Sequence, residues 1–369
     1  MARLQSVTLR GFKTFRELVD FAPGPVTVLI GPNGAGKSNF ISFFRLLSWA
    51  LVPPGQLQEH VAKLGGASAI LHDGPERTHD IEAHLVLTTD AGENDYSFRL
   101  AYAAGDTLVY TEEKFRFSRF GFSPNPQWNI LGVGHKEAEL IKLAEGGNTT
   151  ASTILTLLRK LVVYQFNDTS DESRIRQKWN LNEGRWLKRD AGNLAPFLHR
   201  LRQQYPQHYA RILETIRLIL PFFADFELEP EFGKVLLAWR ERGSDRVFTA
   251  GQAGDGMLRI MALVALLQQP EFDLPDVVVL DEPELGLHPY AIEVLAGLIR
   301  SASQHVQVIL ATQSVSLVDR FTPQDIVVVD RRGRESTLQR HTEAELEAWL
   351  EEYTLSELWE KNVIGGRPS

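Results

Sequence analysis

The sequence predicts an α/β protein with a mixed sheet at its core. Val26–Ile30 and Val277–Leu280 are short, continuous apolar runs rich in β-branched residues, which are typical of strands buried on both faces. Helical patterns follow at Ser38–Leu51 and 289–303. Between residues 81 and 117, polar and apolar residues alternate instead, which indicates an antiparallel part beside the mixed sheet.

Several elements of the N-terminal part follow from local patterns. Leu4, Val7 and Leu9 alternate with polar residues and predict a first strand. An antiparallel meander is predicted because Asp-Ala-Gly and Ala-Gly-Asp turns separate three alternating runs: Ile81–Leu87, Tyr96–Ala101 and Thr107–Phe117. Residues 136–162 predict a helix, and Leu161–Phe166 predicts a strand.

The C-terminal part returns to alternating strands and helices. Its predicted elements are a strand pair at Phe226–Leu228 and Val235–Trp239, a helix from about Asp255 to Gln268, and strands at Val277–Leu280, Val306–Ala311 and Ile326–Asp330. Thr342 with Glu345 and Thr354 with Glu357 have the spacing of capping boxes. Leu346, Trp349, Leu350 and Tyr353 form a stripe that predicts a docked amphipathic helix.

Composition excludes several classes of function. The 369 residues include 39 Lys and Arg against 47 Asp and Glu, so the net charge of −8 argues against indiscriminate coating of nucleic acid. The absence of cysteine excludes disulfides, cysteine nucleophiles and thiolate metal sites, and it fits a reducing compartment. The N-terminus lacks a signal-like apolar core, and no apolar stretch is long enough for a membrane span. We therefore expect a cytoplasmic protein with no membrane contact.

A phosphate-binding loop directly follows the strand Val26–Ile30. Residues 31–38, Gly-Pro-Asn-Gly-Ala-Gly-Lys-Ser, match the pattern G-x-x-x-x-G-K-[ST]. In such a loop the backbone N–H groups of Asn33, Gly34, Ala35 and Gly36 surround a phosphate, and the following helix directs its positive end at the same anion. Lys37 would reach the β- and γ-phosphates, and the Ser38 hydroxyl would ligate Mg²⁺.

Two acidic residues follow the buried strand Val277–Leu280. Asp281 lies at the carboxyl end of this strand, the edge at which ligands bind in such sheets, and could hold the water shell of Mg²⁺. Glu282 is the candidate base that orients and polarises an attacking water. Two solvated acids at a strand end are the alternative, and the phosphate loop in the same chain argues against it.

A second glycine-rich turn, formed by Gly254, Asp255 and Gly256, opens the helix upstream of Asp281. The start of a helix is an anion site, and a residue without a side chain lets the anion approach closely.

These motifs together resemble the RecF/SMC-type branch of the ABC ATPases, in a compact form without long coiled coils. The resemblance is carried by six segments, which span nearly the whole chain: Gly11–Phe15, Gly31–Phe40, Gly254–Arg259, Asp281–Pro289, Ala311–Ser314 and Leu358–Pro368. It implies a P-loop NTPase of ABC-type head architecture, with an antiparallel β subdomain and an inserted helical lobe.

The resemblance also implies chemistry and assembly. It implies hydrolysis of ATP with Mg²⁺ by a homodimer in which two heads pack head-to-tail, each glycine-rich signature capping the γ-phosphate of the other head. Gly254 replaces the usual signature serine, and Gln313 replaces the switch histidine of transporters, so we expect slow turnover. Gln165 is the candidate that couples Mg²⁺ to the second lobe, with a polar strand-end residue as the alternative. His288 is a candidate helix cap that would lie at the dimer seam; Lys13, by the same resemblance, approaches the nucleotide or is solvated.

The expected domain organisation has one insertion. Residues 1–166 form the first part of the nucleotide-binding lobe, 167–252 an inserted basic and mainly helical lobe, and 253–369 the second part of the nucleotide-binding lobe. The stretch Arg174–Arg217 holds ten Lys and Arg but three acids, interleaved with Trp179, Trp186, Tyr205 and Tyr209. It is the candidate DNA-contact surface, unless its aromatic residues are core and its cations pair with acidic residues.

Three functions compete at this level. The first is an ATPase switch acting in DNA repair or maintenance or in anti-phage defence. The second is a regulatory ATPase that controls a separately encoded effector nuclease without binding DNA. The third, a transporter motor, is disfavoured because the segment between Ser38 and Asp281 is far longer than a transporter head needs.

Overall fold

The computed structural model describes residues 2–52, 55–122 and 126–366. Arg367 and Pro368, which belong to the last segment of the family resemblance, lie outside the described residues. The strands are β1 Arg3–Phe12, β2 Phe15–Phe21, β3 Val26–Ile30, β4 Asp80–Thr89, β5 Gly92–Ala103, β6 Thr107–Arg119, β7 Asn129–Ile130, β8 Leu161–Tyr164, β9 Trp179–Asn180, β10 Phe223–Phe226, β11 Lys234–Val235, β12 Ala238–Glu241, β13 Val247–Thr249, β14 Val277–Asp281, β15 Gln307–Ala311, β16 Ile326–Arg332 and β17 Glu335–Arg340. The helices are α1 Lys37–Ala50, α2 Leu57–Lys63, α3 Glu139–Glu145, α4 Thr149–Arg159, α5 Leu194–Gln204, α6 Pro206–Ile219, α7 Asp255–Leu267, α8 Pro289–Ala302, α9 Val315–Val318, α10 Glu343–Leu350 and α11 Leu355–Glu360.

The central sheet has the strand order β17-β16-β3-β15-β14-β8. Its strands run parallel except for β17, which pairs with β16 in the antiparallel sense. Val279 of β14 lies between Ile309 of β15 and Val163 of β8. The predicted mixed sheet is therefore confirmed, and β3 and β14 bring their carboxyl ends to one edge.

A second, antiparallel sheet has the order β2-β1-β4-β5-β6-β7. The three alternating runs between residues 81 and 117 form β4, β5 and β6, so the predicted meander is confirmed.

Two hydrophobic cores lie on opposite faces of the central sheet. Side chains alternate along each strand: Val278 and Leu280 of β14 enter the core formed with α5, α6, α7 and α8. Val277 and Val279 enter the core formed with α1 and the antiparallel sheet. Burial on both faces explains why these strands are apolar at every position.

The segment 167–252 contains α5, α6 and five short strands. β10, β12 and β13 form one small sheet, and β9 pairs with β11. The predicted strand pair is shifted by a few residues, with Phe226 opposite Trp239, while Val235 pairs with Trp179. Leu198, Ile212 and other residues of this segment share a core with the central sheet. The segment packs directly on one face of that sheet, and its boundaries at 166 and 252 remain a prediction.

Two helix predictions need correction. Residues 136–162 form α3, α4 and the beginning of β8 because the chain turns at Gly146-Gly147, where Gly147 has φ +91° and the Asn148 side chain caps α4. Near the C-terminus, α10 ends at Leu350, so Tyr353 is not part of the predicted helical stripe. The Thr354 capping box starts α11 there, and both predicted capping boxes are confirmed.

In the described part of the chain, no helix is long and apolar enough to cross a membrane.

Candidate nucleotide-binding site

The phosphate-binding loop connects β3 to α1, as predicted. Gly31, Gly34 and Gly36 all have positive φ, and a Cβ at Gly36 would lie 2.3 Å from Ser336 Oγ, so glycine is required there. Lys37 is the first residue of α1 and is 5% exposed. Its Nζ donates to the carbonyl oxygens of Gly31 at 2.5 Å and Pro32 at 3.0 Å. Burial lowers the pKa of Lys37, and the nearby Glu282 and Asp281 carboxylates oppose this shift.

Asp281 lies at the end of β14 and faces α1. Ser38 Oγ is 3.5 Å from Asp281 Oδ1, and Arg45 Nη2 donates to Asp281 Oδ2 at 3.1 Å. Burial raises the pKa of Asp281, while the Arg45 guanidinium opposes the shift. The motif spacing predicts Ser38 and Asp281 but not Arg45. The available signal is that Arg45 lies two turns after Ser38 on the same helix, which places both on one face.

Glu282 and Gln313 meet beside the loop. The Gln313 side-chain amide donates to Glu282 Oε1, and the Glu282 backbone N–H donates to the Ala311 carbonyl oxygen at 2.9 Å. Glu282 has φ +47°, a strained conformation for a residue with a side chain. Both residues line a crevice of about 160 Å³ with Asn33, Gly34, Gly36, Lys37 and Ser38. The structure therefore brings these predicted site residues together, whereas Ala35 is buried beneath the loop.

Glu284 is a second carboxylate close to Gln313, but it does not line the crevice. It is 8% exposed, and its Oε1 accepts hydrogen bonds from Thr312 Oγ1 and from the Gln313 N–H at 3.4 Å. Burial raises the pKa of Glu284, and the hydrogen bond from Thr312 opposes the shift. Glu284 therefore holds the turn that carries Gln313, a role that the sequence alone did not indicate.

The second glycine-rich turn, formed by Gly254, Asp255 and Gly256 and called the signature turn below, lies outside this crevice. Gly254 caps α7 and faces open space, and Asp255 pairs with Arg176 at 3.4 Å. A Cβ at Gly256 would lie 2.4 Å from the carbonyl oxygen of Gly286. The contact with Gly286 therefore requires glycine at position 256 even within a single chain. This reason is independent of the expected approach of an anion to the turn. Arg259 of the same helix donates to the carbonyls of Leu285 at 2.8 Å and Phe166 at 3.2 Å, so it connects α7 to the loops that follow β14 and β8.

Gln165 follows β8, beside the end of β14. Tyr164 is the register partner of Leu280, so Gln165 lies alongside Asp281 in the sheet. Its backbone N–H donates to the Arg189 carbonyl at 2.9 Å, and its side chain is exposed and does not line the crevice. A role for Gln165 in metal binding remains a prediction.

His288 caps α8. Its Nδ1 accepts from the Tyr290 N–H at 3.3 Å, and the residue is exposed. The cap predicted from the following proline is present.

A further cavity of about 470 Å³ starts at Asn39, next to the loop. Lys13, Thr14, Asp73 and Arg334 line it. Lys13 is not fully solvated, because its Nζ donates to Ser42 Oγ at 2.7 Å and burial lowers its pKa. The cavity therefore provides a polar space beside the phosphate loop.

The donor set fits Mg²⁺ better than a transition metal. Within residues 2–52, 55–122 and 126–366, no group of three or more His, Cys, Asp or Glu side chains could hold a metal ion. Ser38 and Asp281 offer one hydroxyl and one carboxylate, both oxygen donors. Mg²⁺ is held in this way in proteins that complete its shell with water and nucleotide phosphates.

The basic stretch Arg174–Arg217 is largely neutralised by partners. Carboxylates pair with six of its cations: Arg174, Arg176, Lys178, Lys188, Arg200 and Arg202. Tyr209 is core, whereas Trp186 is 51% exposed. Most of this stretch is therefore not a free cationic surface. The two exceptions, Arg185 and Arg189, line one cavity.

Comparisons with known proteins agree with this geometry. The family described as "AAA domain, putative AbiEii toxin, Type IV TA system" matches residues 26–319. No curated protein matches the chain.

Solved structures show the same fold. An SMC head bound to the C-terminal winged-helix domain of ScpA matches with a TM-score of 0.63 at 14% identity, covering 94% of this chain and 99% of that one. An SMC head with an extended coiled coil, bound to the C-terminal domain of ScpA from Pyrococcus furiosus, gives 0.58 at 14% identity, with coverage of 95% and 99%. An SMC head from Pyrococcus yayanosii gives 0.55 at 12% identity, with coverage of 95% and 99%. The chain therefore belongs to the family of AAA domains that matches residues 26–319, and its fold is that of an SMC- and RecF-like ABC-type P-loop ATPase.

Proposed function

We propose that this protein is a switch that binds and hydrolyses ATP with Mg²⁺. The observation that carries the proposal is the convergence of Lys37, Ser38, Asp281, Glu282 and Gln313 at one edge of the central sheet. These side chains provide a cation for phosphates, two oxygen ligands for a metal, a candidate base and an amide that orients it.

Each side chain has a definable part in the reaction. Lys37 exchanges its bonds to the Gly31 and Pro32 carbonyls for bonds to phosphate oxygens, which offset the cost of its burial. Ser38 and Asp281 would hold Mg²⁺, which neutralises the charge on the phosphates when bound. Glu282 accepts a proton from the attacking water, and Gln313 orients the Glu282 carboxylate. The cavity at Lys13 and Asn39 would receive the nucleoside, because it adjoins the loop.

We further propose a homodimer in which each signature turn completes the other head's site. Gly254 and Asp255 are exposed and lie outside their own crevice, so they are available to a second head. Leu285 and Tyr290, which are 45% and 44% exposed, lie at the two ends of the segment 285–290, in which the Gly286 carbonyl contacts Gly256. Both side chains would be covered in such a dimer. His288 lies between them at the proposed seam.

The proposed setting is DNA repair or maintenance, or anti-phage defence. A regulatory ATPase that controls a separately encoded effector nuclease, without binding DNA itself, is the second candidate. The solved SMC heads bound to domains of ScpA support this second candidate, because they are heads of this fold held by a separate protein. Binding to DNA across a range of salt concentrations separates the two candidates.

The central experiment measures mass in solution with and without ATP for the Glu282→Gln variant. We expect a monomer without ATP and a dimer with ATP and Mg²⁺, because ATP is bound but not consumed. A monomer under both conditions, despite ATP binding, would rule out the dimer. No ATP binding at all would rule out the ATPase.

A further inference from the structure

A large cavity of about 1070 Å³ lies away from the phosphate loop. It opens between the edge strand β8 and the segment 182–190, with Lys160 and Pro275 also on its wall. Its volume lies slightly above the usual range for small-ligand sites, about 300–1,000 Å³.

The walls of this cavity are cationic and aromatic. Six cations line it, Arg159, Lys160, Arg174, Arg185, Lys188 and Arg189, against three carboxylates, Glu183, Asp190 and Asp273. The carboxylates are already engaged: Glu183 with Lys188, Asp190 with Arg174, and Asp273 with Arg200. An anion that enters the cavity therefore meets cations in excess.

Arg185 and Arg189 are the exceptions in the basic stretch. The other eight cations between residues 174 and 217, all of which are described, have a carboxylate, carbonyl or imidazole partner. No such side-chain partner is found for Arg185 or Arg189 in the described structure, and both line the cavity. Arg185 lies 5.3 Å from the Trp186 ring, which is 51% exposed. Phe272, which also lines the cavity, is 66% exposed.

We propose that this cavity binds a nucleoside phosphate, free or at the end of a nucleic acid strand. Unpaired guanidinium groups suit phosphate oxygens, because they form charge-assisted and bidentate hydrogen bonds. Exposed aromatic faces suit a base, since nucleic acid bases stack on aromatic rings. A purely apolar ligand would leave Arg185 and Arg189 desolvated without an anion.

The position of the cavity connects it to the ATP site. The carbonyl of Arg189 accepts from the Gln165 N–H at 2.9 Å, and Tyr164 on the cavity wall is in register with Leu280, the residue before Asp281. A phosphate held by Arg189 would therefore bind to a segment that is hydrogen-bonded to the strand end beside Asp281. The expected effect of binding on ATP turnover rests on the proposed ATPase, whereas binding to the cavity does not.

Binding is measured first in the Lys37→Ala background, in which the phosphate loop is disabled. The probes are thymidine 5′-monophosphate, 5′-phosphorylated tetrathymidylate, thymidine and inorganic phosphate, each titrated by calorimetry. We expect the two nucleoside phosphates to bind and the two fragments to bind much more weakly. Tighter binding of the tetranucleotide identifies a strand end, and equal binding identifies the free nucleotide.

The Arg185→Gln/Arg189→Gln variant should weaken binding by about tenfold or more per arginine. The matched control is Lys178→Gln/Arg240→Gln, which removes two cations from exposed ion pairs outside the cavity and should bind as the parent does. Trp186→Ala should weaken binding by about fivefold or more, and Trp186→Phe should restore most of it.

Two results would overturn the proposal: no binding of either nucleoside phosphate, or equal losses in the cavity and control variants. Neither result bears on the ATPase, which is tested separately by ATP binding to the chain with Lys37 intact. If ATP binds there and thymidine nucleotides do not bind to the Lys37→Ala variant, only the cavity proposal fails. With Lys37 intact, a saturating probe should change the ATPase rate of the control variant but not that of the Arg185→Gln/Arg189→Gln variant.

Discussion

At the scale of single residues, Lys37 combines deep burial with partners that carry no charge. Its ammonium group is held by the carbonyls of Gly31 and Pro32, and burial lowers its pKa. Lys37→Ala should therefore weaken ATP binding by about a hundredfold or more, because several charge-assisted hydrogen bonds to phosphate are lost. Titration with ATP measures this loss. Lys63→Ala, which removes an exposed lysine on α2, is the control, and unchanged affinity in a folded Lys37→Ala variant would contradict the site.

Glu282 is the residue that separates ATP binding from hydrolysis. Glu282→Gln retains an oxygen that can accept from Gln313 but cannot take a proton from water. Hydrolysis should fall by about 10²–10⁴-fold, with ATP affinity nearly unchanged. Glu293→Gln, at an exposed carboxylate on α8, is the matched control in single-turnover assays. If turnover persists, the base lies elsewhere, and Glu284 is a poor substitute because it binds the Thr312–Gln313 turn.

Glu284 should make stability depend on pH. Burial raises its pKa, so the folded state holds the proton more tightly than the unfolded chain does. Its contribution to the free energy of unfolding is full below the ordinary glutamate pKa and is lost as the pH rises through the raised value. Glu284→Gln removes this titration. The Tm of the variant minus that of the wild type should therefore increase as the pH rises above the ordinary glutamate pKa, and a constant difference would show that Glu284 has no raised pKa.

The sequence predicts those site residues that local spacing defines. Lys37, Ser38, Asp281 and Glu282 follow from motifs in which a few consecutive residues place the functional groups. Arg45 on Asp281 and Glu284 on the Thr312–Gln313 turn depend on which helix and strand lie side by side. Such contacts join residues far apart in the chain, so no local pattern indicates them.

At the scale of elements, the signature helix α7 is positioned by its contact with the loop after β14. Gly256 approaches the Gly286 carbonyl, and Arg259 donates to the Leu285 carbonyl. Gly256→Ala should destabilise the protein by about 1–3 kcal/mol, since backbone atoms must move apart.

Gly254→Ser provides the contrasting substitution in the same turn. Gly254 has φ −69°, and a Cβ there would meet open space, so serine fits without strain. A serine cap should raise the free energy of unfolding by about a few tenths of a kcal/mol, as measured by chemical denaturation. We also expect faster ATP turnover, because the hydroxyl adds a donor for a phosphate in the partner head. A stabilised variant with unchanged turnover would limit the role of this residue to capping.

Element boundaries show where sequence patterns fail. Apolar periodicity continues from α3 through α4, and the break depends on the positive φ of Gly147 and the cap by Asn148. The free charge of the basic stretch Arg174–Arg217 is likewise not predictable from local sequence. Its acidic partners include Glu231, Asp255 and Asp273, which lie outside the stretch, so local composition exaggerates its free charge.

At the scale of the whole molecule, the central sheet separates two cores and gathers the site at one edge. The signature turn does not line its own crevice, so a complete site needs a second head in the proposed dimer. Gly254→Arg tests this with less risk to folding than a change at Gly256, because Gly254, unlike Gly256, faces open space. The variant should remain folded and bind ATP through Lys37 and Ser38, yet neither dimerise nor hydrolyse ATP.

Mixing the Gly254→Arg and Lys37→Ala variants should restore activity that neither has alone. In the mixed dimer, the intact loop of the Gly254→Arg head meets the intact signature of the Lys37→Ala head, so one of two sites works and the rate cannot exceed half that of wild type. ATPase activity measured across mixing ratios should peak near equal amounts. Gly297→Arg, which also faces open space but lies on α8, should be active alone. If the mixture stays inactive, ATP-dependent crosslinking decides the reason: a crosslinked heterodimer means that both sites must act together, and its absence means that Gly254 does not face a partner's phosphate.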